Sequence, residues 1–247
     1  MRLAAAIIGF AMLLMASPPL VLAAETPIGP LGPPGVPASA FPKPARPVAD
    51  IVADQWSTEE ERDRNGEAAE VMRALHIHAG MSVADVGAGR GYYTVRVAKK
   101  VGAGGHVIAE DVVPDYLEEL RQRLAREHLD NVRLDLGEPH DPRLPPRSAD
   151  LALLVHMYHE VEQPYGLLYN LLPALRPGAR VAVIDLDQAT GIHGTPRKLL
   201  LCEFRALGFR NTQWRWLRAK KEYLAVFEPP VQRVAPNQIK HCTNGTK

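Results

Sequence analysis

The feature that most constrains this chain is an apolar stretch that runs into a turn with glycines at alternate positions. Residues 83–94 read VADVGAGRGYYT, and the glycines are Gly87, Gly89 and Gly91. Glycine lets the backbone double back and approach a ligand closely, because it has no Cβ. The pattern predicts a strand, a tight turn and the start of a helix whose unpaired N–H groups point at that ligand. This is the layout of a nucleotide-type site at the carboxyl end of a parallel strand.

The spacing of these glycines discriminates between cofactors. Dinucleotide-binding turns carry G-x-G-x-x-G with a pyrophosphate over the turn, whereas this chain has G-x-G-x-G preceded by Asp85. A carboxylate there would repel a pyrophosphate and suits a cofactor with an ammonium and a sulfonium group. The stretch resembles motif I of the class I S-adenosylmethionine-dependent methyltransferases. The resemblance implies an S-adenosylmethionine site that includes Asp85, Gly87, Gly89 and Gly91. Tyr92, which opens the following helix, is a candidate to shield the methyl donor.

Strands and helices alternate along the rest of the chain. The pattern predicts strands at 82–87, 106–111, 132–136, 150–156 and 179–186, and helices at 57–75, 91–100, 114–128, 165–175 and 196–207. Such alternation builds a parallel sheet covered by helices, and two aromatic-rich runs, 209–217 and 222–227, predict a final hairpin. The resemblance extends over residues 70–228 and implies the same topology. We therefore predict an α/β, Rossmann-like, doubly wound and mostly parallel seven-stranded sheet that ends in an antiparallel hairpin.

Acidic residues beyond the glycine turn complete the expected cofactor site. The second predicted strand ends in Glu110 and Asp111, where a carboxylate can accept hydrogen bonds from both hydroxyls of a ribose. The family pattern favours Asp111, but adjacent side chains of a strand point to opposite faces, so Glu110 stays an alternative. By the same resemblance, Asp141 would accept a hydrogen bond from the adenine amino group and Glu138 would line the pocket.

A histidine-rich stretch follows the fourth predicted strand, beside the expected cofactor site. His156 or His159 can act as a base near neutral pH, and Tyr158 or Glu160 can orient an acceptor. A structural histidine is the alternative for either position. The order His-x-x-His-Glu is neither H-E-x-x-H nor its inverted form and falls at a strand end, so we predict no metal site.

These residues together indicate a methyltransferase that uses S-adenosylmethionine and acts on a small-molecule acceptor, whose identity stays open. One alternative is a nicotinamide-dependent oxidoreductase, which the glycine spacing and Asp85 disfavour. The other is a non-catalytic protein that keeps the fold and binds a nucleoside. With 29 basic and 28 acidic residues, the chain lacks the charge of a nucleic-acid-binding protein. Arsenite as the acceptor would require several thiols, and the chain has 2 cysteines.

The two ends of the chain differ from its middle. Residues 1–24 combine a basic start, an apolar stretch and small residues at its end, which predicts an export signal. An uncleaved membrane anchor is the alternative, although no stable membrane span is expected from so short an apolar run. Residues 25–49 are proline-rich and predict an extended linker, residues 50–230 form the expected methyltransferase domain, and residues 231–247 a disordered tail. We therefore expect an exported, periplasmic protein, and the sequence leaves its oligomeric state open. Cys202 is expected to be a buried free thiol, and Cys242 to lie in the tail.

Overall fold

A computed structural model describes residues 31–52, 58–217 and 222–242 of the chain. The predicted export signal at 1–24 and the tip of the predicted hairpin at 218–221 lie outside these residues. Within the described ranges, no helix is both long enough and apolar enough to cross a membrane.

The centre of the fold is one sheet with seven strands. These are β1 (Ser82–Val86), β2 (His106–Asp111), β3 (Val132–Leu136), β4 (Ala149–Val155), β5 (Leu175–Leu186), β6 (Arg210–Trp216) and β7 (Glu222–Glu228). They lie in the order β3-β2-β1-β4-β5-β7-β6. The first five strands are parallel, and β7 pairs antiparallel with both β5 and β6. The predicted fold class is confirmed.

Helices cover both faces of the sheet. They are α1 (Glu59–Arg64), α2 (Glu67–Ala74), α3 (Tyr92–Val101), α4 (Pro114–Arg126), α5 (Pro164–Leu171) and α6 (Arg197–Ala206). Alternate residues of β1 show how the sheet divides the core. Ala84 and Val86 join the apolar cluster that contains α5 and α6, whereas Val83 joins the cluster that contains α2, α3 and α4. This alternation follows from the two-residue period of a strand.

Two of the helix boundaries that differ from the prediction have a local reason. The first helix begins after Thr58, whose side chain accepts from the Glu61 N–H while the Glu61 side chain accepts from the Thr58 N–H. This capping box fixes the first helical residue as Glu59, two residues after the predicted start at 57. The fifth helix ends at Leu171 because Pro173 follows, and a 3₁₀ turn leads directly into β5.

The described part of the proline-rich stretch, residues 31–52 (the N-terminal segment), packs along the domain instead of forming a free linker. Phe41 is buried against Tyr169, with ring centroids 5.3 Å apart. The buried Arg46 guanidinium donates to two carbonyl oxygens of the turn after β4 (3.1 and 2.9 Å) and forms an ion pair with Glu203 (3.2 Å). Prolines remove N–H donors but leave side chains free to pack, so the segment joins the core without joining the sheet.

The C-terminal residues up to 242 are also fixed to the domain. A disulfide joins Cys202 in α6 to Cys242, and the Cys242 N–H donates to Tyr165 Oη (2.6 Å). Ile239 is buried in the core. The expectations of a free thiol at Cys202 and of a disordered tail at these positions are therefore corrected. Whether two cysteines can form a disulfide depends on the distance between their Cα atoms in the fold. The spacing of the cysteines in the sequence does not give that distance.

Candidate functional site

The turn between β1 and α3 has a backbone that glycine adopts readily and other residues do not. Gly87, Gly89 and Gly91 have φ angles of 69°, 54° and 85°. A Cβ on Gly91 would lie 2.2 Å from Leu120 Cδ1, and one on Gly87 would lie 2.8 Å from Met157 Cγ. Backbone conformation and packing therefore both require glycine at these two positions.

This turn borders a cavity at the carboxyl ends of β1, β2 and β4. The space within it, including the part that is open to solvent, is about 970 Å³. Its walls come from the turn, from the residues at the ends of β2 and β4, from Ile51 and Val52 of the N-terminal segment, and from Arg62 of α1. A switch point of this kind, where β1 lies between β2 and β4, is where open α/β sheets bind ligands.

Asp85 lies beneath the turn and does not line the cavity. Its side chain is 2% exposed, and its Oδ2 accepts a hydrogen bond from Thr94 Oγ1 (2.6 Å). Burial raises the pKa of Asp85 to about 6, and the charge of Asp111 adds to this, while the bond from Thr94 opposes it. The hydrogen bond between Asp85 and Thr94 therefore holds the turn against α3. Because the turn lies between Asp85 and the cavity, the charge of Asp85 can act on a ligand only at a distance.

Both carboxylates at the end of β2 reach the cavity. Asp111 accepts hydrogen bonds from the N–H groups of Gly89 (2.8 Å) and Val113 (2.9 Å). Glu110 accepts a longer bond from the Gly87 N–H (3.4 Å) and abuts Gly137, whose Cβ would lie 1.8 Å from Glu110 Oε1. Burial raises the pKa of both carboxyl groups, and the charge of Asp111 further raises that of Glu110. Glu110 and Asp111, the two candidates for the ribose contact, therefore both lie in the cavity wall.

Arg62 is a cavity residue that the sequence analysis missed. Its guanidinium stacks over the ring of Tyr92, 3.8 Å from the centroid, and donates two hydrogen bonds to Glu67 (2.9 and 2.6 Å). Tyr92 lines the cavity, and its hydroxyl donates to Asp63 (3.0 Å). Arg62 precedes the glycine turn by a helix and a strand, and it reaches the site only through tertiary packing. No local motif signals it.

The loop after β3 brings one of its two candidate residues to the cavity. Glu138 lines the cavity and forms an ion pair with Arg143 (2.8 Å). Asp141 is buried outside the cavity, where its Oδ2 accepts from the Gly35 N–H (2.7 Å) and its Oδ1 from the Arg143 N–H (3.0 Å). The expected contact between Asp141 and an adenine amino group is corrected, because the N-terminal segment and the loop itself occupy its carboxylate.

Among the candidate catalytic residues, His156 faces the cavity. Its Nε2 lies 2.9 Å from Glu222 Oε1 and 3.9 Å from Glu67 Oε1, and its Nδ1 lies 4.0 Å from Asp185 Oδ1. Burial lowers the pKa of His156, but the hydrogen bond to Glu222 and the three carboxylate charges raise it on balance. The side chain can therefore hold a proton at the cavity wall near neutral pH.

Tyr158 and His159 do not line the cavity. Tyr158 is fully buried and packs against Phe204, with ring centroids 5.7 Å apart. His159 is 3% exposed, and its Nδ1 lies 3.0 Å from Asp185 Oδ1. The expected catalytic roles of both residues are corrected, since neither side chain can touch an acceptor in the cavity. A 3₁₀ turn over Tyr158–Glu160 ends the alternation of the strand, and the sequence period no longer tells where these side chains point.

Glu160 belongs to the cavity wall, next to apolar side chains. Burial raises the pKa of Glu160 to about 8, and the charges of Asp111 and Asp185 add to it, while a hydrogen bond from the Val52 N–H (3.2 Å) opposes it. The apolar residues that line the cavity include Ile51, Val52, Met157, Val161 and Leu167. Their side chains suit the cavity to a small, largely apolar molecule.

Comparisons with known proteins place the fold among methyltransferases. A sequence model of the methyltransferase domain matches residues 77–223. Arsenite methyltransferase of Halobacterium salinarum is 31% identical over 112 residues, which are 44% of this chain and 28% of that protein. Demethylmenaquinone methyltransferase of Listeria monocytogenes is 27% identical over 119 residues, which are 48% of this chain and 50% of that protein. The crystal structure of a SAM-dependent methyltransferase from Aquifex aeolicus superimposes with a TM-score of 0.60 and 24% identity, and the match covers 68% of this chain and 91% of that one. The chain thus spans half or less of the length of these two curated relatives.

Proposed function

This chain belongs to the methyltransferase domain family, and from that premise we propose that it binds S-adenosylmethionine in the cavity and transfers the methyl group to a small molecule. The observation that carries the proposal is the meeting of the glycine turn with Glu110 and Asp111 in one cavity wall. The two carboxylates can accept hydrogen bonds from ribose hydroxyls, and the bare turn admits the adenosyl group close to the backbone.

The charges of this wall also separate the proposal from the nicotinamide alternative. A pyrophosphate would meet the carboxyl groups of Glu110 and Asp111 in the cavity wall, whereas carboxylates there attract the ammonium and sulfonium groups of S-adenosylmethionine. The bound cofactor supplies a methyl group that its sulfonium has already activated for displacement. The protein then has to align the acceptor atom with the methyl group, and such positioning can lower the activation barrier of the transfer by roughly 7–11 kcal/mol.

The cavity offers a methyl acceptor a basic side chain and several apolar side chains. Above its raised pKa, the neutral imidazole of His156 can take the proton that an oxygen or nitrogen acceptor loses, and Glu222, at 2.9 Å, stabilises the imidazolium that forms. Ile51 and Val52 of the N-terminal segment and Met157 after β4 limit the access of water. The segment expected to be a linker is thus proposed to shape the acceptor site.

An organic acceptor fits this chain better than arsenite does. One relative is named for arsenite and another for demethylmenaquinone. Arsenite binding calls for free thiols, and the chain has 2 cysteines, which are joined in the Cys202–Cys242 disulfide. The apolar residues beside His156 suit a small organic molecule that carries a hydroxyl or an amine.

Calorimetric titration of the full, oxidised chain with S-adenosylmethionine tests the donor site. A hydrogen bond to a charged group contributes about 1.5–3 kcal/mol, so Glu110→Gln or Asp111→Asn should weaken binding roughly 10- to 150-fold. The control Asp130→Asn removes an exposed carboxylate just before β3, at the amino end of that strand and away from the cavity. It should leave the Kd of S-adenosylmethionine unchanged. NADH serves as the competing ligand. Tight binding of NADH with no binding of S-adenosylmethionine would refute the proposal.

Transfer of a radiolabelled methyl group to a panel of small quinols, phenols and amines tests the reaction. His156→Gln should lower kcat by roughly 10²–10⁴-fold and leave the Kd of S-adenosylmethionine unchanged. His78→Ala, which removes an exposed histidine before β1, is the matched control. Binding without transfer to any compound of the panel would favour the nucleoside-binding alternative.

We also propose that the chain is exported, as its first 24 residues predict. The Cys202–Cys242 disulfide supports this location, because disulfides persist in oxidising compartments and are rare in the cytosol. A fusion of residues 1–30 to alkaline phosphatase, which is active only outside the cytoplasm, should give an active enzyme. An inactive fusion that accumulates at full length in the cytoplasm would contradict the proposal.

A further inference from the structure

Three potential metal ligands meet beside the cavity, although the sequence contains no metal-binding motif. His159, Glu160 and His193 each offer one ligand atom, and these atoms all lie within 4.8 Å of one another. His159 and Glu160 belong to the 3₁₀ turn after β4, and His193 follows the 3₁₀ turn Thr190–Ile192 after β5. The cluster therefore forms where two adjacent strands of the sheet end, from residues far apart in the chain.

The orientation of His159 is fixed by a buried carboxylate behind it. Its Nδ1 lies 3.0 and 3.2 Å from the two carboxylate oxygens of Asp185. Asp185 is itself held by hydrogen bonds from Thr195 Oγ1 (2.7 Å) and from the Leu186 N–H (2.8 Å). An Nδ1–H that donates to Asp185 leaves the lone pair on Nε2, which lies 3.9 Å from Glu160 Oε1. A carboxylate behind a histidine in this way is the usual outer partner of a metal-ligating histidine.

The other two residues sit on turns that are held in place by hydrogen bonds. The Val52 N–H donates to Glu160 Oε1 (3.2 Å), an oxygen that keeps a second lone pair. The turn before His193 is fixed by Gln188, whose side-chain amide donates to the His193 carbonyl (3.1 Å). The rings of His159 and His193 are 5.5 Å apart and nearly perpendicular, at 87°. Their nitrogens can therefore approach one point without the rings stacking.

We propose that His159 Nε2, a carboxylate oxygen of Glu160 and a ring nitrogen of His193 bind one divalent metal ion of the zinc class. Two imidazoles and one carboxylate are a ligand set that zinc prefers and that magnesium and calcium do not. Ligands about 2.0–2.2 Å from a tetrahedral zinc lie roughly 3.3–3.6 Å from one another, so the 3.9 Å between His159 and Glu160 and the separations of up to 4.8 Å within the cluster must shorten by roughly 0.5–1.5 Å when the ion binds. Three protein ligands leave a fourth position for water.

The location gives the ion a place in the cavity wall, because Glu160 belongs to both the cluster and the cavity. A second group of potential ligands, Glu67, His156 and Glu222, is better explained by its own contacts. Glu67 is held by two hydrogen bonds from Arg62, and His156 is paired with Glu222. The inference concerns metal binding alone and stands or falls independently of methyl transfer.

Titration of the full, oxidised, chelator-stripped chain with Zn²⁺ tests this site, with Co²⁺ as a spectroscopic probe. The wild type should bind one ion tightly, and Co²⁺ should give the intense visible absorption of a tetrahedral site. His193→Ala and Glu160→Gln should weaken Zn²⁺ binding by roughly 100-fold or more, and the outer-partner variant Asp185→Asn by roughly 10–100-fold. His78→Ala, an exposed histidine far from the cluster, should bind as the wild type does.

Two further measurements keep the outcome decisive. Urea unfolding without metal checks that His193→Ala folds, and Zn²⁺ should raise the Tm of the wild type but not of this variant. Glu222→Gln reports on the second group of ligands and should retain tight Zn²⁺ binding. The proposal is overturned if the wild type binds no stoichiometric ion, if His193→Ala binds as tightly as His78→Ala, or if Glu222→Gln alone abolishes binding.

Discussion

Replacing Asp85 with asparagine should stabilise the protein at neutral pH, by an amount that depends on pH in a defined direction. Burial, with a contribution from Asp111, raises the pKa of Asp85 from 3.8 to about 6 in the folded state. Between about pH 4 and about pH 6 the folded chain keeps this proton and the unfolded chain does not. The stability that Asp85 contributes is therefore fully present below about pH 4 and is lost as the pH rises through about 6. One pKa unit corresponds to about 1.4 kcal/mol, so the loss amounts to about 3 kcal/mol at neutral pH.

Asparagine has no proton to lose over this range, and its amide oxygen can still accept the bond from Thr94. Asp85→Asn should therefore match the wild type near pH 4 and exceed its free energy of unfolding by up to about 3 kcal/mol near neutral pH. Urea unfolding of both proteins at a series of pH values, followed by tryptophan fluorescence, measures the difference. Titrating groups that do not interact with Asp85 are common to both chains and cancel in the difference. A difference that is constant with pH, or that favours the wild type increasingly as the pH rises, would refute the reasoning.

Three other substitutions probe packing and cross-linking. Cys202→Ser opens a disulfide across 40 residues and should lower the free energy of unfolding by about 4 kcal/mol, and reductant should destabilise the wild type equally but leave the variant unchanged. Gly91→Ala, at φ +85° and with its Cβ against a leucine, should cost about 1–3 kcal/mol in urea unfolding, whereas Gly104→Ala, in open space, should cost less than about 0.5 kcal/mol. Arg46→Met leaves Glu203 buried without its partner and should cost about 3–5 kcal/mol. Adding Glu203→Gln should recover much of that loss, and equal stability of Arg46→Met and the wild type would show that the ion pair contributes nothing.

Local patterns in the sequence were sufficient to predict the sheet. The strand at 106–111 and the strand at 132–136 fall where the structure has β2 and β3, and the hairpin at the end of the chain pairs antiparallel as predicted. Strands buried on both faces are continuous apolar runs, and amphipathic helices have a period of about 3.6 residues; a sequence displays both directly. The glycine turn was predicted for the same reason, since its backbone requirement is local.

The residues of the candidate site also differ in how well the local sequence predicted them. Residues attached to the turn or to a strand end, such as Asp111 and His156, reach the cavity as the sequence predicted. Asp141 and Tyr158 do not, because they lie in a loop and a 3₁₀ turn, where no period fixes the direction of a side chain. Arg62 enters the cavity although no motif marks it.

The sequence by itself determined the order and kind of the elements, the glycine turn and the acidic end of β2, because each depends on neighbouring residues. Tertiary structure alone decided that the N-terminal segment closes one wall of the cavity and that Cys202 meets Cys242. It also decided that His159, beside Glu160, faces His193 across two strand ends. Such contacts join residues far apart in the chain, and they form only when burial of the shared core brings the elements together.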